Sequence, residues 1–510
     1  MVACLTRAPR SSAPSNSSTR RRPFELRTAL WGKLRDLFAV DLRSLALLRI
    51  GLGVSVFADT VMRAFDLVGL YTDRGVLPRE LLLAMDGRGV YLAAHYWASV
   101  HPAWQGALFA FTAGSAIALL VGWRTRLATL LCWYLVASVQ VRQPLSYVGG
   151  DSILRLLLFW GLFLPLSARF SMDAAQGRVR RRPDSFVSGG TVALLLQVCV
   201  IYWATGIQKT GELWWNGQAI FYALRAEEWA TPLGIWLREH RSVLAPMTYG
   251  VLGLELLGPF LAFVPVYTGV FRLVTIGLFW ALHLGLAMTM NIGLFPLFSM
   301  VAWLPFLPAE AWTWFGVRAT TDAIEGHSWR SHMASAIALI LIAYVAVLVG
   351  ERASLLPRVL PAGAQAVGTA LRLNQTWVMF APNPPDITVS YEVRRSLSDG
   401  TAVYEPAPTS FRWTVYLWRA GPERSPESPV ARSVGLFARY LCIDSSRGAG
   451  TRTKRVEILA HQTSIRPDGP EDPVTRTLVD VRCPAAPRLL LQSSAPELDS
   501  RALRAPGGDQ

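Results

Sequence analysis

The stretch Leu194-Leu-Leu-Gln-Val-Cys-Val-Ile-Tyr-Trp-Ala-Thr-Gly-Ile-Gln-Lys209 carries no charged residue before its last position. It belongs to a longer apolar segment, residues 188–208, and an apolar helix of about 20 residues is what crossing a lipid bilayer requires. We therefore predict that this segment is a membrane-spanning helix that ends beside a lysine.

The composition of the whole chain agrees with a membrane location. Of its 510 residues, 52% are hydrophobic and only 17% are charged, against roughly 25% charged in an average soluble protein. The formal net charge is +15, but the basic residues fall in short clusters beside apolar segments, where they set membrane orientation. We therefore expect the lipid bilayer as a partner and no nucleic acid.

Hydrophobic periodicity and length predict about nine spans in total. Two of these segments, 127–142 and 293–308, are short for crossing a bilayer. For each of them the alternative is a re-entrant segment, which enters and leaves the membrane on the same side. The predicted spans cover residues 45–64, 102–122, 127–142, 152–168, 188–208, 246–266, 271–289, 293–308 and 334–350.

Charge sets the expected orientation of the spans. With the N-terminus inside, the strongest basic run, Arg178-Val-Arg-Arg-Arg182, falls on the cytoplasmic face, as do residues 122–126, Arg272 and residues 309–333. An odd number of spans then places the C-terminus outside. Because the cations are almost all arginine, we expect a bacterial source and therefore a multi-pass protein of the cell inner membrane.

The chain divides into four parts. Residues 1–35 are rich in Ser, Pro and Arg and are expected to form a disordered basic arm. Residues 36–355 form the transmembrane domain, residues 374–491 a small extracytoplasmic domain, and residues 492–510 a polar tail.

The domain over 374–491 is predicted to be β-rich because its apolar residues alternate. The clearest alternating runs are Thr388–Val393, Phe411–Leu417 and Leu478–Arg482, with a turn at Asp399-Gly400 between two of them. The predicted fold class is therefore mainly α, a polytopic transmembrane helical bundle with a small C-terminal β-rich extramembrane domain.

The chain has five cysteines and none forms a CxxC pair, so no zinc or thioredoxin-like site is expected. Cys442 and Cys483 both fall in the outer domain. They are either two independent buried thiols or, in an oxidising compartment, a disulfide. The histidines are scattered without paired spacing, and no metal site is predicted.

Charged groups inside membrane spans are costly, so each is a functional candidate unless another charge neutralises it. Asp59 with Arg63, and Asp151 with Arg155, are four residues apart on one helical face, so each pair is expected to neutralise itself. The intramembrane set comprises Arg49, Asp59, Asp151, Arg155, Lys209, Glu255 and His283.

Lys209 stands out because the chain has only three lysines, at positions 33, 209 and 454. A desolvated lysine can lose its proton and act as a base or nucleophile, whereas arginine cannot. The alternative is a snorkelling lysine beside the aromatic residues Trp214 and Trp215. Two interpretations of His283 stay open, a hydrogen-bonded core residue or a catalyst beside a cavity near Asn291.

The stretch Gly206-Ile-Gln-Lys209-Thr-Gly-Glu-Leu-Trp214-Trp-Asn-Gly217 resembles the motif around the catalytic lysine of the vitamin K-dependent gamma-glutamyl carboxylases. Further similarity extends over roughly residues 35–310 and is that of the HTTM domain, the membrane domain of those carboxylases and of many bacterial proteins. It lies in Asp41-Leu-Arg-Ser-Leu-Ala-Leu-Leu-Arg49-Ile-Gly, in Tyr71-Thr-Asp-Arg-Gly-Val-Leu-Pro78, and in His283 through Asn291-Ile-Gly-Leu-Phe295.

The resemblance implies a chemistry in which neutral Lys209 deprotonates reduced vitamin K or another membrane quinol. It also implies catalytic roles for Glu255 and His283. Trp214, Tyr147 and Asn291 are the residues expected to contact the quinol, and the substrate is expected to be a quinol or an exported peptide.

The sequence departs from the family at one catalytic position. The second catalytic histidine of the carboxylases falls within Gln143-Pro-Leu145-Ser146-Tyr147, where this chain has Leu145. The resemblance therefore still implies deprotonation of a quinol. It does not imply carboxylation of glutamate, because the histidine that handles the glutamate carbanion in the carboxylases is replaced by leucine. The alternative is a non-enzymatic membrane scaffold, or an export or immunity factor, that anchors the outer β domain.

Overall fold

The computed structural model describes most of the chain. The described residues are 32–179, 183–314, 316–317, 329–408, 410–419, 431–445, 452–466, 469–470 and 472–483. Residues 1–31 of the predicted N-terminal arm, residues 180–182 of the basic run and the predicted tail 492–510 lie outside them.

The body of the protein is helical. Its helices in chain order are α1 (Leu42–Ala64), α2 (Leu67–Tyr71), α3 (Arg79–Asp86), α4 (Ala94–Ala98), α5 (Pro102–Val121), α6 (Thr125–Arg142), α7 (Gly149–Gly161), α8 (Met172–Ala175), α9 (Gly189–Ile207), α10 (Glu212–Trp215), α11 (Ala219–Arg225), α12 (Pro232–Arg238), α13 (Arg241–Leu261), α14 (Thr268–Thr289), α15 (Phe295–Ala302), α16 (Ala309–Trp314), α17 (Trp329–Arg352) and α18 (Ala362–Ala370). Short 3-10 segments cover Gly87–Leu92, Pro144–Ser146 and Leu304–Phe306, and two short strands, β1 (Val40–Asp41) and β2 (Ser185–Phe186), pair antiparallel.

Six of the described helices, α1, α5, α9, α13, α14 and α17, are long and apolar enough to cross a membrane. Several such helices in one chain support a multi-pass membrane protein, but the predicted count of nine is not confirmed. The predicted segments 127–142, 152–168 and 293–308 overlap α6, α7 and α15. Helix α7 has 13 residues and α15 has eight, and at 1.5 Å per residue neither is as long as the bilayer core is thick.

Helix α9 covers most of the stretch that precedes Lys209, and it is the most buried of the six. Its first turn is closed by a capping box, in which the Ser188 hydroxyl accepts from the Thr191 amide and the Thr191 hydroxyl accepts from the Ser188 amide. Because the helix is apolar all round, it packs inside the bundle, with α13 and α17 among its neighbours.

The connections gather at two ends of the bundle. At one end the Leu42 amide donates to the Asp184 carbonyl, and the Arg272 guanidinium donates to the Leu37 carbonyl at 2.6 Å. Arg43 reaches the Val317 carbonyl there as well. The segments predicted to be cytoplasmic therefore share one end as far as the structure describes them, and which end faces the cytoplasm stays a prediction.

The opposite end carries the C-terminal domain. Its strands are β3 (Ile387–Leu397), β4 (Ala402–Pro406), β5 (Thr453–Arg466), β6 (Gly469–Pro470) and β7 (Val474–Arg482), and its helices are α19 (Phe411–Arg419) and α20 (Ala431–Ser445). The sheet is antiparallel in the order β4-β3-β5-β6, and β7 also pairs with β5. The predicted strands at 388–393 and 478–482 are confirmed, and the Asp399-Gly400 turn joins β3 to β4, where Gly400 has a φ of 91°.

The prediction of a strand over Phe411–Leu417 is wrong, because these residues form α19. Trp413, Tyr416 and Leu417 are buried, and their spacing places them on one face of a helix. The same stretch also alternates, so the pattern was ambiguous over so short a run. Ser410 accepts a bond from the Trp413 amide, as residues that cap helix N-termini do.

Cys442 of α20 and Cys483 after β7 form a disulfide, with 5.5 Å between their Cα atoms. Of the two alternatives for these cysteines, the bridge is therefore confirmed. One apolar cluster includes Tyr71 and Leu77 of the helical body together with Trp413 and Phe437 of the C-terminal domain. The domain thus packs directly onto the bundle.

Candidate functional site

Lys209 lies just beyond the end of α9, where its amide donates to the Gly206 carbonyl. Its side chain is 3% exposed, and its amine forms an ion pair with the Glu255 carboxylate of α13. The amine also lies 4.6 Å from the centroid of the Trp214 ring, within the range of a cation–π contact. The structure therefore brings together three of the predicted site residues, Lys209, Glu255 and Trp214.

A segment of the C-terminal part, residues 374–384, crosses the loop that carries Lys209, and we call it the strap. The Gly211 amide donates to the Pro382 carbonyl at 3.0 Å, and the Trp214 indole donates to the Phe380 carbonyl at 2.8 Å. The Asn383 side chain accepts from the Leu213 amide. The strap thus covers the loop from the side of the C-terminal domain and contributes to the burial of the amine.

The chemistry open to this pair follows from its burial. An amine and a carboxylate removed from water lose much of the hydration that favours their charged forms, so the proton between them can be shared or held by the carboxylate. In that state the Lys209 amine is neutral and basic. A snorkelling lysine would extend its amine to the water interface instead.

His283 of α14 belongs to a separate buried network. Its Nε2 atom exchanges a hydrogen bond of 2.8 Å with the Tyr202 hydroxyl, which accepts a bond of 3.0 Å from the Trp303 indole. His283 Nδ1 has no hydrogen-bond partner among the described residues. Of the two readings, this arrangement favours the hydrogen-bonded core residue. Tyr202 was overlooked, although it is the one tyrosine in the apolar span before Lys209.

The remaining predicted quinol contacts lie elsewhere. The Tyr147 hydroxyl bonds Ser152 and accepts from Arg155 at 3.2 Å. Asn291 is exposed, and its backbone amide donates to the Trp229 carbonyl at 2.6 Å. Among the described residues, the partners of Lys209 are Glu255 and Trp214, and the hydroxyl of Tyr147 bonds Ser152 and Arg155 instead.

Four charged side chains form a closed ring of ion pairs, of which the sequence predicted one pair. They are Asp59, Arg63, Asp151 and Arg412. Arg63 bonds Asp59 at 2.7 Å, which confirms that predicted pair. Asp151 bonds Arg63 at 2.5 Å and Arg412 of α19 at 2.8 Å, and Arg412 also bonds Asp59 at 2.7 Å. The predicted pairing of Asp151 with Arg155 is therefore wrong, because two other arginines occupy the carboxylate.

Arg155 instead donates to backbone carbonyls. It bonds the Arg372 and Asn374 carbonyls, both at 2.8 Å, and the Gln140 amide oxygen. This places Arg155 under the start of the strap. Arg49, the first of the intramembrane set, donates to the Phe170 carbonyl at 2.6 Å.

Leu145 is buried in the apolar cluster that joins the bundle to the C-terminal domain. It therefore packs as a core residue.

The apolar helices, buried ion pairs and covering domain define the class of the protein, a multi-pass helical membrane protein with an extramembrane sheet. A sequence model of the HTTM domain matches residues 39–312, more than half of the chain. The protein belongs to the HTTM domain family. Comparisons with curated proteins and with solved structures gave no significant match.

Proposed function

We propose that this HTTM protein is a membrane enzyme related to the vitamin K-dependent gamma-glutamyl carboxylases, and that Lys209 accepts a proton from a membrane quinol. The observation that carries the proposal is the buried Lys209–Glu255 pair beneath the strap. A general base toward a phenolic proton has to be neutral, and burial favours a neutral amine.

The residues around Lys209 suit a long-tailed quinol. Glu255 holds the proton that the amine gives up, and the Trp214 ring forms an apolar wall beside the amine. Leu257 and Phe260 of α13 are exposed on the bundle surface. They provide an apolar surface along which a quinol ring dissolved in the lipid can approach the site. Reduced vitamin K or another membrane quinol would supply the phenolic proton and, with oxygen, a strong base.

The substrate side differs from that of the carboxylases. Leu145 offers no group that could handle a glutamate carbanion, so we expect oxidised quinol or its epoxide as the product. An exported peptide remains a candidate second substrate of the same site.

We further propose a location in a bacterial inner membrane, with the N-terminus cytoplasmic and the C-terminal domain outside. The Cys442–Cys483 disulfide supports this placement, because disulfides persist in oxidising compartments.

A second candidate function is a membrane scaffold, or an export or immunity factor, that holds the C-terminal domain. Two observations favour it. Leu145 packs as a core residue, and the Lys209–Glu255 pair is by itself a complete buried ion pair. In this reading the pair only stabilises the contact between α9 and α13.

The test is incubation of the purified protein with reduced quinones under oxygen, with epoxide as the product measured. We expect Lys209→Ala and Lys209→Arg to lower epoxide formation by a factor on the order of 100 or more, because guanidinium stays charged and cannot act as a base. Lys454, an exposed lysine of β5, supplies the matched control, and Lys454→Ala is expected to keep full activity.

Two results would argue for the scaffold. One is no epoxide from the unaltered protein with any quinone tested. The other is full function in Lys209→Arg combined with loss in Lys209→Ala, since charge would then be all that the site needs.

A further inference from the structure

Arg142, the last residue of α6, is an unusual buried cation. Its side chain is fully buried, and none of its three guanidinium nitrogens has a hydrogen-bond partner among the described residues. The Asp73 carboxylate lies 3.6 Å from the guanidinium. A buried guanidinium without hydrogen bonds is costly. Among the described residues, Arg142 is therefore a buried cation whose hydrogen-bond donors are unpaired.

The charges around Arg142 do not cancel. Asp73 also accepts a bond of 2.7 Å from Arg79 and one of 3.2 Å from the Ser99 hydroxyl. Two arginines thus share one carboxylate, and the trio carries a net charge of +1. Asp73 and Arg79 are about one-fifth exposed whereas Arg142 is not. Arg142 therefore lies at the base of the trio, and the other two side chains lie at its rim.

Neutral polar groups flank the same turn of α6. Ser138, one helical turn before Arg142, accepts a bond of 2.9 Å from the His95 amide. The His95 ring bonds the Gln105 side chain at 2.9 Å, while His95 Nε2 and Gln105 Oε1 have no hydrogen-bond partner among the described residues. Burial, together with the positive charges of Arg63 and Arg142, lowers the pKa of His95 to about 3. The imidazole is therefore neutral and available for hydrogen bonding.

We propose that Arg142 binds a singly charged oxyanion, two of whose oxygens accept hydrogen bonds from its guanidinium. Arg79 and Asp73 lie at the rim of this site. A planar guanidinium matches two coplanar oxygens, and one negative charge completes the balance of the trio. A dianion would be repelled by Asp73. A free carboxylate and the phosphodiester of an anionic lipid headgroup both carry one negative charge and two acceptor oxygens, so either fits this description. The site is distinct from Lys209 and does not rest on the proposed function.

The probes are sodium acetate and phosphatidylglycerol, tested on the purified full chain in nanodiscs. In the first arm, phosphatidylcholine discs receive acetate or, at equal ionic strength, chloride. In the second arm, discs with and without phosphatidylglycerol are compared. We expect one of the two probes to raise the Tm by a few degrees, since a ligand that binds only the folded state stabilises it. A response to acetate alone identifies a free carboxylate, and a response to the lipid alone identifies a headgroup.

The matched variants are Arg142→Met and Arg395→Met. Arg395 pairs with Glu405 across the β3–β4 hairpin and is partly exposed, so its replacement is expected to leave the response intact. Arg142→Met should abolish the response while keeping or raising the Tm in chloride, because an apolar chain of similar length replaces an unsatisfied charge.

No probe-specific Tm shift in either arm overturns the proposal. A shift that survives Arg142→Met overturns it as well, since the anion would then bind elsewhere. A lower Tm for Arg142→Met in chloride, without a response to either probe in the unaltered protein, would mark Arg142 as a structural partner of Asp73.

Discussion

The charged ring of Asp59, Arg63, Asp151 and Arg412 shows how single residues join the bundle to the covering domain. The two acids and two arginines balance, and the bonds between them are 2.5 to 2.9 Å long. Buried charges are tolerated only when each has a partner. Because Arg412 comes from α19, the balance inside the bundle depends on a residue more than 250 positions away from Asp151 along the chain.

We predict that Arg412→Met destabilises the protein by about 3 to 5 kcal/mol, because it leaves two buried carboxylates with one cation. Arg395→Met, which removes a partly exposed pair of the same domain, is expected to cost about 0 to 1 kcal/mol. Unfolding of the purified protein in detergent measures both. Equal effects of the two substitutions would contradict a stabilising ring, and adding Asp59→Asn to Arg412→Met should recover part of the loss.

Among the helices, close packing depends on glycine where two backbones approach. Gly53 of α1 faces α5, and a Cβ atom added there would lie 2.7 Å from the Leu120 Cβ and 2.8 Å from its backbone nitrogen. Small residues allow such approaches between membrane helices. The contact between α1 and α5 therefore requires glycine at position 53.

Replacing Gly53 with Ala should cost about 1 to 3 kcal/mol, because α1 and α5 would have to separate. Gly114 of α5 has nothing within 4 Å of an added Cβ, so Gly114→Ala is the matched control. It is expected to be neutral or slightly stabilising, since alanine favours helix more than glycine does. Thermal unfolding of both variants in the same detergent would refute the close approach if Gly53→Ala were as stable as Gly114→Ala.

At the scale of the whole molecule, the direction of the helices separates two ends of the bundle. One end carries the connections near Leu42, and the other carries the C-terminal domain. Helix α1 runs from Leu42, beside Asp184, to Arg63, beside Arg412. Helix α9 likewise ends at the loop beneath the strap. The C-terminal domain and the N-terminal segment from residue 37 thus lie at opposite ends of the bundle.

This arrangement predicts opposite sides of the membrane for the two ends, with the C-terminal domain outside. A reporter fused after residue 360 should be active only when exported, and activity restricted to the cytoplasm would reverse the topology. Thiol titration of the denatured protein tests the oxidising environment independently. Because the described residues contain the Cys442–Cys483 bridge, reduction is expected to raise the number of thiols by two, and an unchanged number would exclude the bridge.

Much of the bundle was readable from the sequence, because apolar length and the spacing of charged residues act locally. Residues 188–208 were predicted as a span, and α9 covers Gly189–Ile207. The pairing of Asp59 with Arg63 was equally local, since four residues make one helical turn. Where a segment was short, as at 411–417, alternation and helical spacing coincided and the local pattern could not decide between strand and helix.

The sequence by itself thus determined a membrane protein with a rare lysine at the end of an apolar helix. Only the tertiary structure decided that Lys209 pairs with Glu255, that Arg412 rather than Arg155 bonds Asp151, and that the strap covers the lysine loop. The physical reason is distance along the chain. These contacts join residues 46 to more than 250 positions apart, and no local pattern of hydrophobicity or charge specifies which distant partner the packing of helices will supply.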